Sequence, residues 1–125
     1  MNESDVFALL GFSQRDLAIY KTLLRLGPSS IRDIATGADL NRGVCYELLK
    51  KLQQDGIVTL FPKGKRRLFC AEPVEKLLQI AEQKQQQMTQ AYTTLKTEVV
   101  PDLRQLVPRS DHPQVHYYEG DDGIE

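Results

Sequence analysis

Residues 29–71 read SSIRDIATGADLNRGVCYELLKKLQQDGIVTLFPKGKRRLFCA. Their periodicity changes twice. Ser29 and Ser30 are residue types that cap a helix, and Ile31, Ile34 and Ala35 follow at helical spacing. Thr36-Gly37-Ala38-Asp39 reads as a turn. Asn41 is a second cap, and a helix runs from it to about Asp55, with Gly56 at the usual C-terminal place. Ile57–Phe61 is then rich in β-branched and aromatic residues. Pro62-Lys63-Gly64-Lys65 reads as a turn and Arg66–Ala71 as a second strand, which makes a hairpin. A short helix, a turn containing Gly and a second helix form a helix-turn-helix pattern. A hairpin directly after it is the wing of a winged helix.

Upstream, Ser13 with Asp16 three residues on marks another helix start. That helix runs from about 14 to 26, carries Leu17, Tyr20, Leu23 and Leu24, and stops at Gly27-Pro28. Residues 3–11 read as a short helix ending at Gly11. Downstream, Pro73 suits the first turn of a long helix. Val74, Ala81, Met88 and Leu95 repeat every seven residues, as do Leu78, Gln85, Tyr92, Val99 and Leu106. This is a heptad pattern of the coiled-coil kind, interrupted at Gln85 and Asp102. Pro101 is expected to kink or end the helix. The polar run Gln83–Gln90 suggests a solvated stalk. Pro108 and Pro113 mark a linker, and residues 114–118 read as the first strand of something further.

The expected architecture is therefore mainly α with one small hairpin. A winged helix-turn-helix occupies 1–72 and a long dimerisation helix 73–107. Residues 108–125 are a linker and the start of a C-terminal effector domain that the chain does not include.

The composition agrees with one modest domain plus an appendage. The chain has 125 residues, 41% of them hydrophobic and 26% charged. Its net charge of -1 conceals a division. Residues 1–71 hold eleven Lys/Arg against seven Asp/Glu, and residues 72–125 hold five against ten. The surplus of four positive charges in the first part points to a polyanionic partner there. Cys45 and Cys70 lie in apolar stretches without a CxxC pair or a His/Cys cluster, which reads as buried free thiols in a reducing compartment. The start, MNESDVFALLGF, lacks the basic region of a signal peptide. No apolar run approaches the ~18–20 residues of a membrane span. A soluble, cytoplasmic protein is expected.

The helix after Asn41 carries the functional reading. At ~100° per residue, Val44, Cys45, Leu48, Leu49 and Leu52 share one half of its surface. Arg42, Gly43, Tyr46, Glu47, Lys50, Lys51, Gln53 and Gln54 share the other. One half suits a core and the other a groove. A recognition helix meets base edges with its N-terminal residues. Arg42 suits guanine acceptors, Gly43 lets backbone approach the duplex, Tyr46 suits phosphate or a thymine methyl, and Lys50 suits phosphate. Asn41 begins the same helix. Lys63, Lys65, Arg66 and Arg67 crowd the hairpin tip and suit phosphates or the minor groove. Ser30 and Arg32 start the preceding helix, which crosses the backbone in such docking. Leu78, Ala81, Met88, Tyr92, Leu95 and Val99 are the expected dimer contacts.

Double-stranded DNA with a palindromic site is thus the expected partner, together with a second copy of the chain. A winged helix serving protein assembly, or binding RNA, remains open as an alternative. No cofactor and no metal are called for. His112 and His116 are four apart but Pro113 separates them, so they form no helical ligand pair. There is no phosphate-binding Gly loop and no nucleophile elbow, so an enzyme is not expected.

These residues also carry a family resemblance. Leu10-Gly11-Phe12-Ser13 through Tyr20 and Leu23 is similar to the opening phrase "LGLT-x-x-E-A-x-x-Y-x-x-L" of the TrmB family of transcriptional regulators. Arg42, Tyr46, Leu49, Leu52, Gly56 and Val58 match a second phrase, with Val44 displaced by one. Phe69 and Pro73 stand for the Tyr and Pro that follow the family's wing. VHYYEGDDGIE, residues 115–125, resembles the family's entry into its effector domain. The resemblance implies a winged helix, a dimerising coiled-coil helix, and ligand-controlled regulation of sugar or other metabolic genes. Asn41-Arg42-Gly43 and Cys45 depart from the pattern and leave the base preference open.

Overall fold

The structure, a computed structural model, describes residues 1–108. The strand expected at 114–118, His112, His116 and the family-like ending lie outside the described residues. Those that are described fall into two units, one of residues 1–85 and one beginning at Gln86.

Local capping chemistry sets the helix starts of the first unit. Asn2 and Asp5 form a reciprocal capping box ahead of α1, Glu3–Leu9. Ser13 and Asp16 do the same for α2, Gln14–Leu26, with bonds of 3.1 and 2.9 Å. Ser30 caps α3, Ile31–Ala38, and Asn41 caps α4, Arg42–Gln54. Each cap satisfies an amide that the helix itself leaves orphaned. The hairpin follows as β1, Val58–Lys63, and β2, Arg66–Ala71, paired antiparallel with Val58 opposite Ala71 and Lys63 opposite Arg66. The fold is a winged helix-turn-helix, mainly helical with one antiparallel hairpin, followed by a long C-terminal helix.

A single apolar cluster holds these elements together. Ile19, Tyr20 and Leu23 of α2 meet Ile34 and Ala35 of α3, Cys45, Leu49 and Leu52 of α4, and Ile57, Val58 and Phe69 of the wing. Phe7 and Phe12 close the cluster from the α1 side, their rings 5.7 Å apart. Fully burying side chains of this size stabilises by about 1.5–3 kcal/mol each, so the cluster dominates the energetics. Leu24 of α2 is exposed.

Several boundaries differ from the sequence reading. α1 ends at Leu9 rather than Gly11. Thr36, Gly37 and Ala38 are not a turn: α3 continues through them, and Asp39 alone turns the chain, at φ 57°. Gly37 is there for packing. A Cβ on it would lie 2.6 Å from the Cγ2 of Thr22 on α2, so the missing side chain lets the two helices approach. Ser29 is not a cap but a bridge. Its N–H and C=O pair with the C=O and N–H of Phe69 at 2.9 and 2.8 Å, which ties the entry of α3 to the wing. The wing turn is also tighter than expected. Pro62 and Lys63 are already paired, which leaves Gly64 and Lys65 as a two-residue connection. Gly64 takes φ 61° at the position where a type II′ turn needs glycine.

Pro73 precedes the next helix instead of entering it. Three successive i→i+3 bonds lead from Pro73 into α5, Lys76–Thr94. In the second unit, Pro101 neither ends nor breaks the helical path. Leu95–Val99 widens into a π turn in which Val100 donates to the Leu95 carbonyl, and α6, Val100–Arg104, continues. A proline lacks the N–H and presses on the carbonyl four residues back. The wider turn immediately before it relieves that clash.

The Gly37–Thr22 contact gives a test with a change of sign. The Thr22 hydroxyl donates to Ala18 at 2.8 Å, which fixes the methyl toward Gly37. Overpacking costs about 1–3 kcal/mol, against a helix-propensity gain near 1 kcal/mol for replacing Gly by Ala. Gly37→Ala should therefore lower stability in urea unfolding. In a Thr22→Ser background, which keeps the hydroxyl and removes the methyl, the same substitution should raise it.

Candidate nucleic-acid interface

α4 is amphipathic in fact as well as in pattern. Cys45, Leu49 and Leu52 are completely buried, and Val44 and Leu48 are half-buried. Burial pushes the Cys45 thiol pKa up, so it is a packing group rather than a nucleophile. On the outward half, Arg42, Gly43, Tyr46, Glu47 and Lys50 are exposed. Tyr46 presents 44% of its surface, with the Lys50 ammonium 5.3 Å from its ring centroid. Lys50 also lies 3.8 Å from Glu47, an exposed pair of the kind that contributes little.

Asn41 organises the start of α4. The Asn41 side chain accepts the Val44 N–H at 2.8 Å, and Cys45 donates to the Asn41 carbonyl at 3.0 Å. The amides of Arg42 and Gly43 precede that first helical bond. They lie at the positive end of the helix dipole, and no acidic residue sits in the first turn. Gly43 differs from Gly37 in one respect. The nearest atom to a Cβ placed on it is the Asn41 Oδ1 at 3.5 Å, an ordinary contact. The chain's own packing does not require glycine there.

The wing presents Lys63, Lys65, Arg66 and Arg67, all exposed. Among the described residues, none of the four is paired with a carboxylate. The register distributes them. Lys63 and Arg66 lie opposite each other and share a face with Phe61 and Leu68, whereas Arg67 lies opposite Pro62 on the other face. Arg32 is exposed on the first turn of α3, where the Ser30 hydroxyl accepts the Asp33 N–H at 3.3 Å. The expected dimer residues are likewise uncovered within one chain, with Leu78, Met88 and Tyr92 at 71%, 70% and 62% exposure and Ala81 half-buried.

Two residues outside the expected set matter to this geometry. Lys51, placed by spacing on the free half of α4, turns back instead. Its ammonium reaches the Gly11 carbonyl at 3.2 Å, Asp16 Oδ2 at 3.2 Å and Asp55 Oδ2 at 2.9 Å, and sits 5.0 Å from the centre of the Phe12 ring. Burial lowers its pKa, but the hydrogen bonds to Asp55 and Asp16 outweigh that and hold it above the usual lysine value. Tyr20 donates its hydroxyl to the Glu72 carbonyl at 2.7 Å, pinning α2 to the exit of the wing. Burial first, then the charges of Glu75 and Glu72, raise its pKa. Gly11, Asp16 and Glu72 are remote in sequence from the side chains they hold, so spacing within one helix gave no signal of them.

The fold and this outward arrangement define a class, that of winged-helix transcription regulators. Residues 7–75 match the family model of the sugar-specific transcriptional regulator TrmB, and the chain belongs to that family. No curated protein matches it in sequence. Among solved structures, transcriptional regulator Tm0710 from Thermotoga maritima is similar at TM-score 0.52 and 16% identity, covering 82% of this chain and 78% of that one. A MarR family regulator from Silicibacter pomeroyi is similar at 0.54 and 16%, covering 82% and 70%. A MepR mutant from S. aureus, bound to an oligodeoxyribonucleotide, is similar at 0.54 and 13%, covering 82% and 79%. At these identities the likeness is one of fold. No helix among the described residues is long and apolar enough to cross a membrane.

The Tyr20 clamp has a pH signature. Its folded pKa is raised, so its contribution to stability is complete below the ordinary tyrosine value of about 10 and is lost as pH rises through the folded value. Tyr20→Phe should cost about 1 kcal/mol at neutral pH. The difference between wild type and variant should shrink above pH ~10, measured by urea unfolding across the alkaline range.

Proposed function

We propose that the chain binds duplex DNA sequence-specifically as a homodimer, with α4 in the major groove and the wing against flanking phosphates. The observation that carries this reading is the division of α4. One half is consumed by the core, and the other projects Arg42, Gly43 and Tyr46 from the helix start with no structural duty. Arg42 is the base-reading side chain, since a guanidinium pairs bidentately with guanine. Gly43 allows close approach of the backbone, Tyr46 contacts phosphate or a thymine methyl, and Lys50 takes a phosphate. Asn41, Ser30 and Arg32 frame the backbone on the α3 side. Lys63, Lys65, Arg66 and Arg67 supply the salt-dependent, sequence-independent attraction.

The heptad positions Leu78, Ala81, Met88, Tyr92, Leu95 and Val99 join two copies. A two-fold protein then reads a palindromic site with two heads. The description of the family as a sugar-specific transcriptional regulator supports a regulator that responds to a sugar or related metabolite. A winged helix used for RNA or protein binding is the competing reading, and the paired exposure of the α4 start and the cationic wing favours DNA.

Arg42→Ala should relax base preference and cost about 1–3 kcal/mol of binding, read by titrating labelled duplexes that differ at one base pair. Gly43→Ala separates function from folding. It should leave thermal stability equal or higher by up to about 1 kcal/mol yet weaken binding to the same duplex. Unchanged affinity in both variants would move the reading surface elsewhere. For assembly, Leu95→Glu should shift sedimentation from dimer toward monomer and flatten the preference for two half-sites over one.

A further inference from the structure

Lys51 and Asp16 form a polar joint between the recognition helix and the α1–α2 corner, and the fold does not need such a joint for burial. The apolar stripe of α4 already anchors that helix, and Cys45, Leu49 and Leu52 are completely buried. The stripe is attractive but non-directional, so it resists removal of the helix more than rotation about its axis. Hydrogen bonds are directional and narrow in length. The Lys51 ammonium makes three, to the Gly11 carbonyl and to carboxylate oxygens of Asp16 and Asp55. Asp16 is 1% exposed. Its Oδ2 also accepts the Ser13 N–H at 2.9 Å, while its Oδ1 is buried without a partner.

A half-satisfied buried carboxylate is poor design for stability alone, because a buried ion pair seldom outperforms an apolar replacement. Its better-attested use is to fix geometry. Here the geometry is the roll of α4. Side chains on a helix reach a radius of about 5–6 Å. A roll of some 20° therefore displaces their tips by about 2 Å, well outside the ~0.5 Å that a working site tolerates.

We infer that the Lys51–Asp16 joint sets the rotational aim of α4 and thereby its base discrimination, making Lys51 a positioning residue that does not itself touch nucleic acid. This rests on the DNA-reading role proposed above. It also separates Lys51 from Lys50, its sequence neighbour, which faces outward.

The test uses the 125-residue chain and the duplex that the wild type retains best from a random pool, with a scrambled duplex as the non-specific probe. Lys51→Met keeps the apolar stem and removes the ammonium. Well below its unfolding temperature, it should lose at least tenfold in the ratio of specific to non-specific affinity, with non-specific affinity and its salt slope unchanged. Lys51→Arg, which can still pair with Asp16, should recover the ratio to within about threefold. If Lys51→Met does not fold, Asp16→Asn/Lys51→Met, which leaves no unpaired buried charge, should show the same loss. An unchanged ratio would overturn the inference. So would an equal loss on both duplexes with a shallower salt slope, which would make Lys51 a phosphate contact. A wild type that enriches no duplex at all overturns the DNA-reading role and this inference with it.

Discussion

The burial of Cys45, Leu49 and Leu52 against α2 is the constraint on which the rest of the molecule depends. It fixes which half of α4 is inside, and so which half is left to solvent. An α-helix carries its residues ~100° apart, so committing three positions to the core determines the direction of the remaining ten. Arg42, Tyr46 and Lys50 face outward because Cys45, Leu49 and Leu52 face inward. The same cluster takes in Ile57, Val58 and Phe69, and the hairpin is thereby seated beside α4. The outward half of α4 and the seat of the wing are thus two consequences of one packing event.

Polar interactions then refine what packing permits. Caps at Ser13, Ser30 and Asn41 fix where α2, α3 and α4 begin. The Ser29–Phe69 bridge and the Tyr20–Glu72 bond lash the wing to the helices on its two sides. Each is worth only about 1 kcal/mol, but each is directional, and together they leave the hairpin little freedom to swing. The charge division follows the same logic. Cations gather on the wing, where none is paired among the described residues, while the acidic surplus lies after residue 71. The positive surplus and the negative surplus thus lie in different parts of the chain.

Much of this was legible in the sequence because the signals are local. Ser13 with Asp16, Asn41, the apolar positions of α2 and α4, and the β-rich run around the Lys63–Arg67 tip all act within a few residues of themselves. What was not legible depends on partners far along the chain. Gly37 reads as a turn residue until Thr22 is seen against it. Ser29 reads as a cap until Phe69 is seen beside it. Lys51 reads as one more solvent-facing cation until Gly11 and Asp16 arrive from 40 and 35 residues away. Pro101 reads as a kink or a helix end; the helical path does not end there, and a π turn stands just before it. In each case a tertiary contact or a local backbone adjustment overrode a correct local preference.

The central claim is that the outward half of α4 and the cationic wing read duplex DNA through two copies of the chain. Retention of a random duplex pool at two salt concentrations, with sequencing of the bound fraction, tests it most directly. The account predicts enrichment of a palindromic site and an affinity that falls steeply with salt, as release of condensed counterions requires. Retention that is blind to sequence, or insensitive to salt, would contradict it.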